Sequence, residues 1–143
     1  MWTRWTPGPP DLSTVVKAGA AYFAVVFAAG FILGAVRVIA VAPALGETRA
    51  VLLESPVILS VSWVASMHVT RRYKLGLERA PRLLMGAIAF ILLMSVEFGL
   101  SIIMFQRTAA AYFAAYRTAP GMIGLIAQLA FAIVPTIQRP SRR

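Results

Sequence analysis

The chain of 143 residues is 59% hydrophobic and only 13% charged, with a formal net charge of +9. Soluble domains average about 45–50% apolar and about 25% charged, and a water-soluble fold of this size has too little interior to hide so much apolar surface. The absence of Cys excludes disulfides, thiolate metal sites and Cys nucleophiles, and a single His excludes a bis-His haem or a multi-His metal centre within one chain.

The first segment, from Met1 to Lys17, is polar. Pro7, Pro9 and Pro10 prevent a helix there, and Asp11 or Ser13 is placed to cap the first helix. Trp2 and Trp5 fit an interfacial anchor. The first hydrophobic run, at 18–42, is interrupted only by Arg37, and exceeds the roughly 20 residues that a ~30 Å hydrocarbon core requires. A signal peptide cleaved near Ala42-Pro43-Ala44 is the competing reading, but the run is longer than a signal's apolar core of about 7–15 residues and carries Arg37 near its end.

Pro43-Ala44-Leu45-Gly46 reads as a turn, and a second run covers 51–69 with Glu54 and Pro56 in its opening turns. The most basic stretch comes next, holding Arg71, Arg72, Lys74, Arg79 and Arg82. These residues read as topology determinants and as contacts for anionic lipid headgroups. A third run at 83–105 contains Glu97. The piece at 107–117 is less apolar and places Tyr112 and Tyr116 on one helical face, as a short helix lying at the membrane surface would. The fourth run, 120–137, contains Gln128 and is followed by Arg139, Arg142 and Arg143.

Four crossings gather Arg4, Lys17, Arg71, Arg72, Lys74, Arg79, Arg82, Arg139, Arg142 and Arg143 on one side, against Arg49, Arg107 and Arg117 on the other. The positive-inside rule assigns the richer side to the cytoplasm. The expected architecture is therefore all-α, a single domain forming an up-down-up-down four-transmembrane-helix bundle in a bacterial inner membrane, with both termini cytoplasmic. Nucleic acid is not an expected partner, because the basic residues cluster beside apolar runs instead of forming a soluble face.

An ionisable side chain inside a span costs about 2.5–3.5 kcal/mol on insertion scales and is a functional-site hypothesis by default. Arg37, Glu54 and Glu97 qualify. Arg37 precedes Gly46 by nine residues and Glu54 comes eight after it, so a hairpin there puts them level, roughly 5–8 Å inside the outer helix ends, where a bidentate contact would satisfy both. Glu97 lies deeper, about 12 Å from the outer boundary, and Gln128 falls mid-span. Together they are expected to form a polar cluster in the outer half of the bundle. One reading makes it a clamp in which Arg37 holds both carboxylates. The other pairs Arg37 with Glu54 and frees Glu97 for a proton or cation.

Gly30-Phe31-Ile32-Leu33-Gly34 is a GxxxG motif, which packs helices closely where the hydrophobic effect is unavailable. Packing within the bundle is expected in preference to a homodimer face, and Gly86, Gly99, Gly121 and Gly124 are further candidates. His68 is an interfacial His or a pH sensor, and Ser60, Ser62 and Ser66 bond across helices or back to their own carbonyls. There is no G-x-x-x-x-G-K-[ST], G-x-G-x-x-G or G-x-S-x-G motif and no sizeable extramembrane segment. A non-enzyme without cofactor or metal is expected.

Ala28 to Gly34 followed by Arg37, then Pro43, Leu45-Gly46-Glu47 and Leu52-Leu53-Glu54-Ser55-Pro56, resembles the first hairpin of a group of small four-helix bacterial inner-membrane proteins with no assigned activity. The resemblance covers about 40 residues and implies a membrane bundle. Small four-helix multidrug transporters are similar in size, but their essential carboxylate lies in the first helix, where this chain has only Arg37. The leading expectation is a non-enzymatic protein packing with itself or a larger membrane complex. The alternative is a small transporter or channel using Glu97, with Glu54 and Arg37 as gating partners.

Overall fold

A computed structural model describes residues 8–139. Among them are five helices and no strand: α1 (Leu12–Leu45), α2 (Glu47–Arg72), α3 (Arg79–Ile103), α4 (Ala109–Ala115) and α5 (Ala119–Ile137). All but α4 are long and apolar enough to cross a membrane. Met1 to Pro7, with Trp2, Arg4 and Trp5, and Arg142 and Arg143 lie outside the described residues.

The apolar runs mark the middle of α1, α2 and α3 more closely than their starts, while α5 follows its run to within one residue. Lipid selects the apolar stretch, whereas the backbone ladder continues into polar sequence while hydrogen bonds remain available. Thus α1 starts at Leu12 instead of Ala18, α2 at Glu47 instead of Val51, and α3 at Arg79 instead of Leu83. Pro56 is consequently interior to α2, not in its opening turns. Asp11 does occupy the N-cap position of α1, but its carboxylate accepts from the Ser13 hydroxyl instead of a helix N–H, and that bond holds it below its usual pKa. Thr108 and Thr118 do cap α4 and α5, accepting from Ala111 N (3.1 Å) and Gly121 N (3.2 Å).

The expected turn at Pro43 to Gly46 shrinks to one residue. Ala42 to Leu45 stay helical, and the chain passes into α2 through Gly46 alone, at φ 84° and ψ 156°. This conformation is open to glycine and strained for other residues. Gly46 N donates to Ala42 O (2.9 Å), and Gly46 O accepts from Ala50 N (3.1 Å), so one residue ends one helix and begins the next. Just before it, Arg37–Val41 form a π-helical turn, with Ala42 N–H donating to Arg37 O. Pro43 accounts for it. In a regular helix its ring would press on the Ile39 carbonyl and offer it no N–H, and a widened turn relieves that clash.

α1 packs against α2 and α3, and α5 packs against the same two helices, whereas the consecutive pair α2 and α3 makes at most marginal contact. The connection between those two is itself ordered. Lys74 adopts φ 52°, Leu75 N donates to Thr70 O (3.1 Å), and Leu75 is fully buried. This is a Schellman ending with its apolar residue tucked under the helix.

Gly86 and Gly19 permit the close approach of α3 to α5 and of α1 to α3. A Cβ on Gly86 would overlap the Ala132 carbonyl, and one on Gly19 would crowd Ile88 and the Met85 carbonyl. The GxxxG pair does not play this part within the chain. Gly30 has only ordinary contact space beside Ile58 and Gly34 faces open space, because helix crossings obey whole-bundle packing that local spacing does not encode.

At the centre lies Tyr22, fully buried and stacked on Phe131 with ring centroids 4.6 Å apart. Its hydroxyl donates to Phe131 O at 2.8 Å. Phe131 lies four residues before Pro135, which has no N–H to offer it. The tyrosine supplies the missing donor.

Candidate functional site

The intramembrane polar residues separate into two pairs. Arg37, at the start of the π-turn, has Nε 2.6 Å from Glu54 Oε2 and Nη1 3.7 Å from Glu47 Oε1. The Nε–H is not aligned for a hydrogen bond to Glu54, so the contact is ionic. It is also not the bidentate arrangement anticipated, because the guanidinium is shared between two carboxylates, one and eight residues beyond Gly46. Arg37 and Glu54 are both partly buried, whereas Glu47 is largely exposed.

The second pair joins α3 to α5. Gln128 Nε2 donates to Glu97 Oε2 at 2.6 Å. Among the described residues no cation stands within ion-pair distance of Glu97, so the expected single cluster is two separate sites. The helix order explains the separation: Arg37 faces α2, while Glu97 lies on the side of α3 that meets α5. Arg37 does not hold both Glu54 and Glu97.

α4 closes over the second pair. Phe98, next to Glu97, meets the Tyr112 ring edge-on at 5.2 Å. The Tyr112 and Tyr116 hydroxyls lie 2.7 Å apart, and Tyr116 donates onward to Met94 Sδ at 3.9 Å. Burial raises the Tyr112 pKa, opposed by the bond to Tyr116 and reinforced by the Glu97 charge. Burial also raises that of Tyr116, with Tyr112 and Glu97 adding to the effect. The site is thus a carboxylate and an amide under a pair of linked phenols. The helical spacing of the two tyrosines was visible in the sequence, but nothing local placed them above Glu97.

Arg82 is a correction. Among the basic residues read as headgroup contacts, Arg71, Arg72, Lys74 and Arg79 are exposed, whereas Arg82 is only 5% exposed. Its Nε donates to Gly76 O (2.9 Å), and its Nη1 donates to Gln138 O (2.9 Å) and Pro135 O (3.3 Å). A helix ends with four carbonyls that lack intrahelical donors, and Arg82 serves those of α5. Gln138 Nε2 in turn donates to Trp63 O at 2.6 Å, fastening the same end to α2.

Ser60 and Ser62 donate to Pro56 O (2.8 Å) and Ile58 O (2.7 Å), back along their own helix. His68 is exposed, and its Nδ1 lies 2.9 Å from Val64 O. No three His, Asp or Glu side chains converge as a metal site would require among the described residues. Comparison with protein-family models, curated proteins and solved structures finds no match.

Proposed function

We propose that the chain is a non-enzymatic, multi-pass protein of a bacterial inner membrane that acts by packing with copies of itself or with a larger membrane complex, with lipid as its surroundings. The observation that carries this reading is the use made of the intramembrane charge: Arg37 is spent on Glu54, and Glu97 on Gln128, each across a helix–helix contact. Two surface hollows, one beside Val64 and His68 and one beside Pro10 and Leu84, are lined by none of these four residues. The open flank of α1 at Gly34, with Phe31, Ile32, Val38 and Ile39 exposed around it, is where a further helix would pack.

Alternating threading with both termini in the cytoplasm belongs to this proposal. Its support is the charge asymmetry of the loops and the sense of the contacts. Along α1, Gly30 meets Ile58 and Arg37 meets the earlier Glu54; along α3, Arg82 meets Gln138 and Glu97 meets the earlier Gln128.

A second reading, proton or cation handling at Glu97, is favoured by one observation: the carboxylate has an amide and nearby phenols around it but no cation. Proteoliposomes under an imposed pH gradient separate the two. Packing predicts no proton flux above that of empty vesicles, for the native chain and Glu97→Gln alike. A flux present in the native chain and lost in Glu97→Gln would replace the first reading by the second.

A further inference from the structure

A groove of about 570 Å³ runs along the outside of α2, walled by Val25 of α1 and by Val61, Val64, Ala65 and His68. Ser60 also lines it, but its hydroxyl is already committed to Pro56 O. The wall is therefore apolar until His68. The stretch from Ser60 to His68 is about 12 Å long at 1.5 Å per residue, close to the roughly 15 Å of one leaflet.

The lining positions keep helical spacing: Val61, Val64, Ala65 and His68 are succeeded on the same face by Arg71 and Arg72, three and four residues beyond His68. Both arginines are exposed in the last turn of α2. His68 Nδ1 must donate to Val64 O, a bond to an oxygen that can only accept, which leaves its Nε2 for another partner. An apolar trough one leaflet long, ending in two guanidinium groups, matches the shape and charge of one molecule: a phospholipid with a negative headgroup.

We propose that this groove is a binding site for one anionic phospholipid, with an acyl chain lying along Val61, Val64 and Ala65 and its phosphate held by Arg71 and Arg72. The site rests on the membrane-spanning reading above and sharpens it, since diffuse attraction to a charged surface needs no groove. Arg71 and Arg72 select the headgroup, and the trough sets the stoichiometry at one.

Native mass spectrometry of the full chain released from detergent, in equimolar dioleoyl phosphatidylglycerol and dioleoyl phosphatidylcholine, tests it. The native chain retains one phosphatidylglycerol. Arg71→Gln with Arg72→Gln weakens that retention roughly thirtyfold, the attraction expected of two basic residues at an anionic surface. Arg139→Gln, which removes an exposed charge beyond α5, leaves it unchanged. Val64→Trp, at a half-exposed position, fills the trough and removes both lipids. Undiminished preference in the double arginine variant, equal loss in Arg139→Gln, or lipid retained in Val64→Trp would each overturn the site. A native chain that needs detergent yet retains no phosphatidylglycerol refutes only the lipid site, whereas one that stays in solution without detergent refutes the membrane reading itself.

Discussion

The Tyr22 hydroxyl lies 2.8 Å from the Phe131 carbonyl oxygen, the one backbone acceptor of α5 that Pro135 leaves without its usual donor. A proline in one helix is thereby answered by a tyrosine in another, with the two aromatic rings stacked beneath the bond. Tyr22→Phe should cost about 1–3 kcal/mol, the penalty of a buried acceptor left unpaired. Pro135→Ala restores a backbone N–H at that position, so Tyr22→Phe should cost measurably less in that background. Thermal unfolding in detergent of the two single variants and the double variant checks this. Additive losses would show that the proline and the tyrosine are independent.

Arg82 satisfies three carbonyls from a buried position. Arg82→Gln should destabilise the chain by about 3 kcal/mol, since hydrogen bonds from charged groups contribute about 1.5–3 kcal/mol each and a shorter amide cannot reach all three. Arg82→Lys should recover only part of the loss, because an ammonium lacks the planar fork of donors. Arg79→Gln, at an exposed position in the same turn, should be nearly neutral. Equal effects at 79 and 82 would show that charge, not carbonyl capping, is what matters.

Gly86→Ala and Gly34→Ala form a matched pair. At Gly86 the methyl would overlap the Ala132 carbonyl, forcing α3 and α5 apart at a cost of about 1–3 kcal/mol or more. At Gly34 it would meet nothing within the chain, and the gain in helix propensity should stabilise the monomer by up to about 1 kcal/mol. Unfolding midpoints in detergent report both. If Gly34 is where another helix packs, the same substitution should weaken self-association in a dimerisation assay while leaving the monomer intact.

Alkaline pH should loosen α4. Tyr116 has a folded pKa above its ordinary value of 10.0, and Tyr112 shifts the same way. Above about pH 10 the unfolded chain releases phenolic protons that the folded chain still holds, so stability is complete below that pH and falls as pH rises toward the folded values. The double variant Tyr112→Phe, Tyr116→Phe should show a shallower alkaline decline than the native chain. Unfolding midpoints measured across the alkaline range, beside the ultraviolet absorbance of tyrosinate, give the answer; parallel declines would rule the pair out as its source.

Arg37 and Glu54 should couple. Arg37→Met strands the partly buried Glu54, and Glu54→Gln leaves Arg37 only its longer 3.7 Å contact to the exposed Glu47, whereas the double variant removes both partly buried charges. The double variant should therefore unfold at a higher temperature than either single one, since stranding one partner of a buried pair costs more than removing both. A double-mutant cycle with no coupling would mean that the 2.6 Å contact contributes nothing in solution.

The four long helices were legible because an unbroken apolar run has no other stable solvent than lipid. Nearly equal spacing about Gly46 was also enough to bring Arg37 and Glu54 to one level. The separation of Glu97 from Arg37 was not legible, since local spacing does not say which face of α3 turns toward α5. Arg82 misleads because a basic residue beside a span carries the same signal whether it meets a headgroup or the end of another helix. Tyr22 does carry a usable signal: a hydroxyl within an apolar helix must find a partner, and a proline inside another helix leaves one waiting.

The helix arrangement has a consequence for how such a chain enters a membrane. Arg37 and Glu54 belong to one hairpin, and Glu97 and Gln128 to the other segment of chain, so neither pair reaches across the α2–α3 connection. Each half therefore carries its own partner for the Arg37, Glu54 and Glu97 side chains it brings into oil, whereas the Tyr22 and Gln138 bonds form only once the halves meet. An insertion machinery that accepts helices two at a time would never have to release a member of either pair without its partner while waiting for the remainder of the polypeptide to be made.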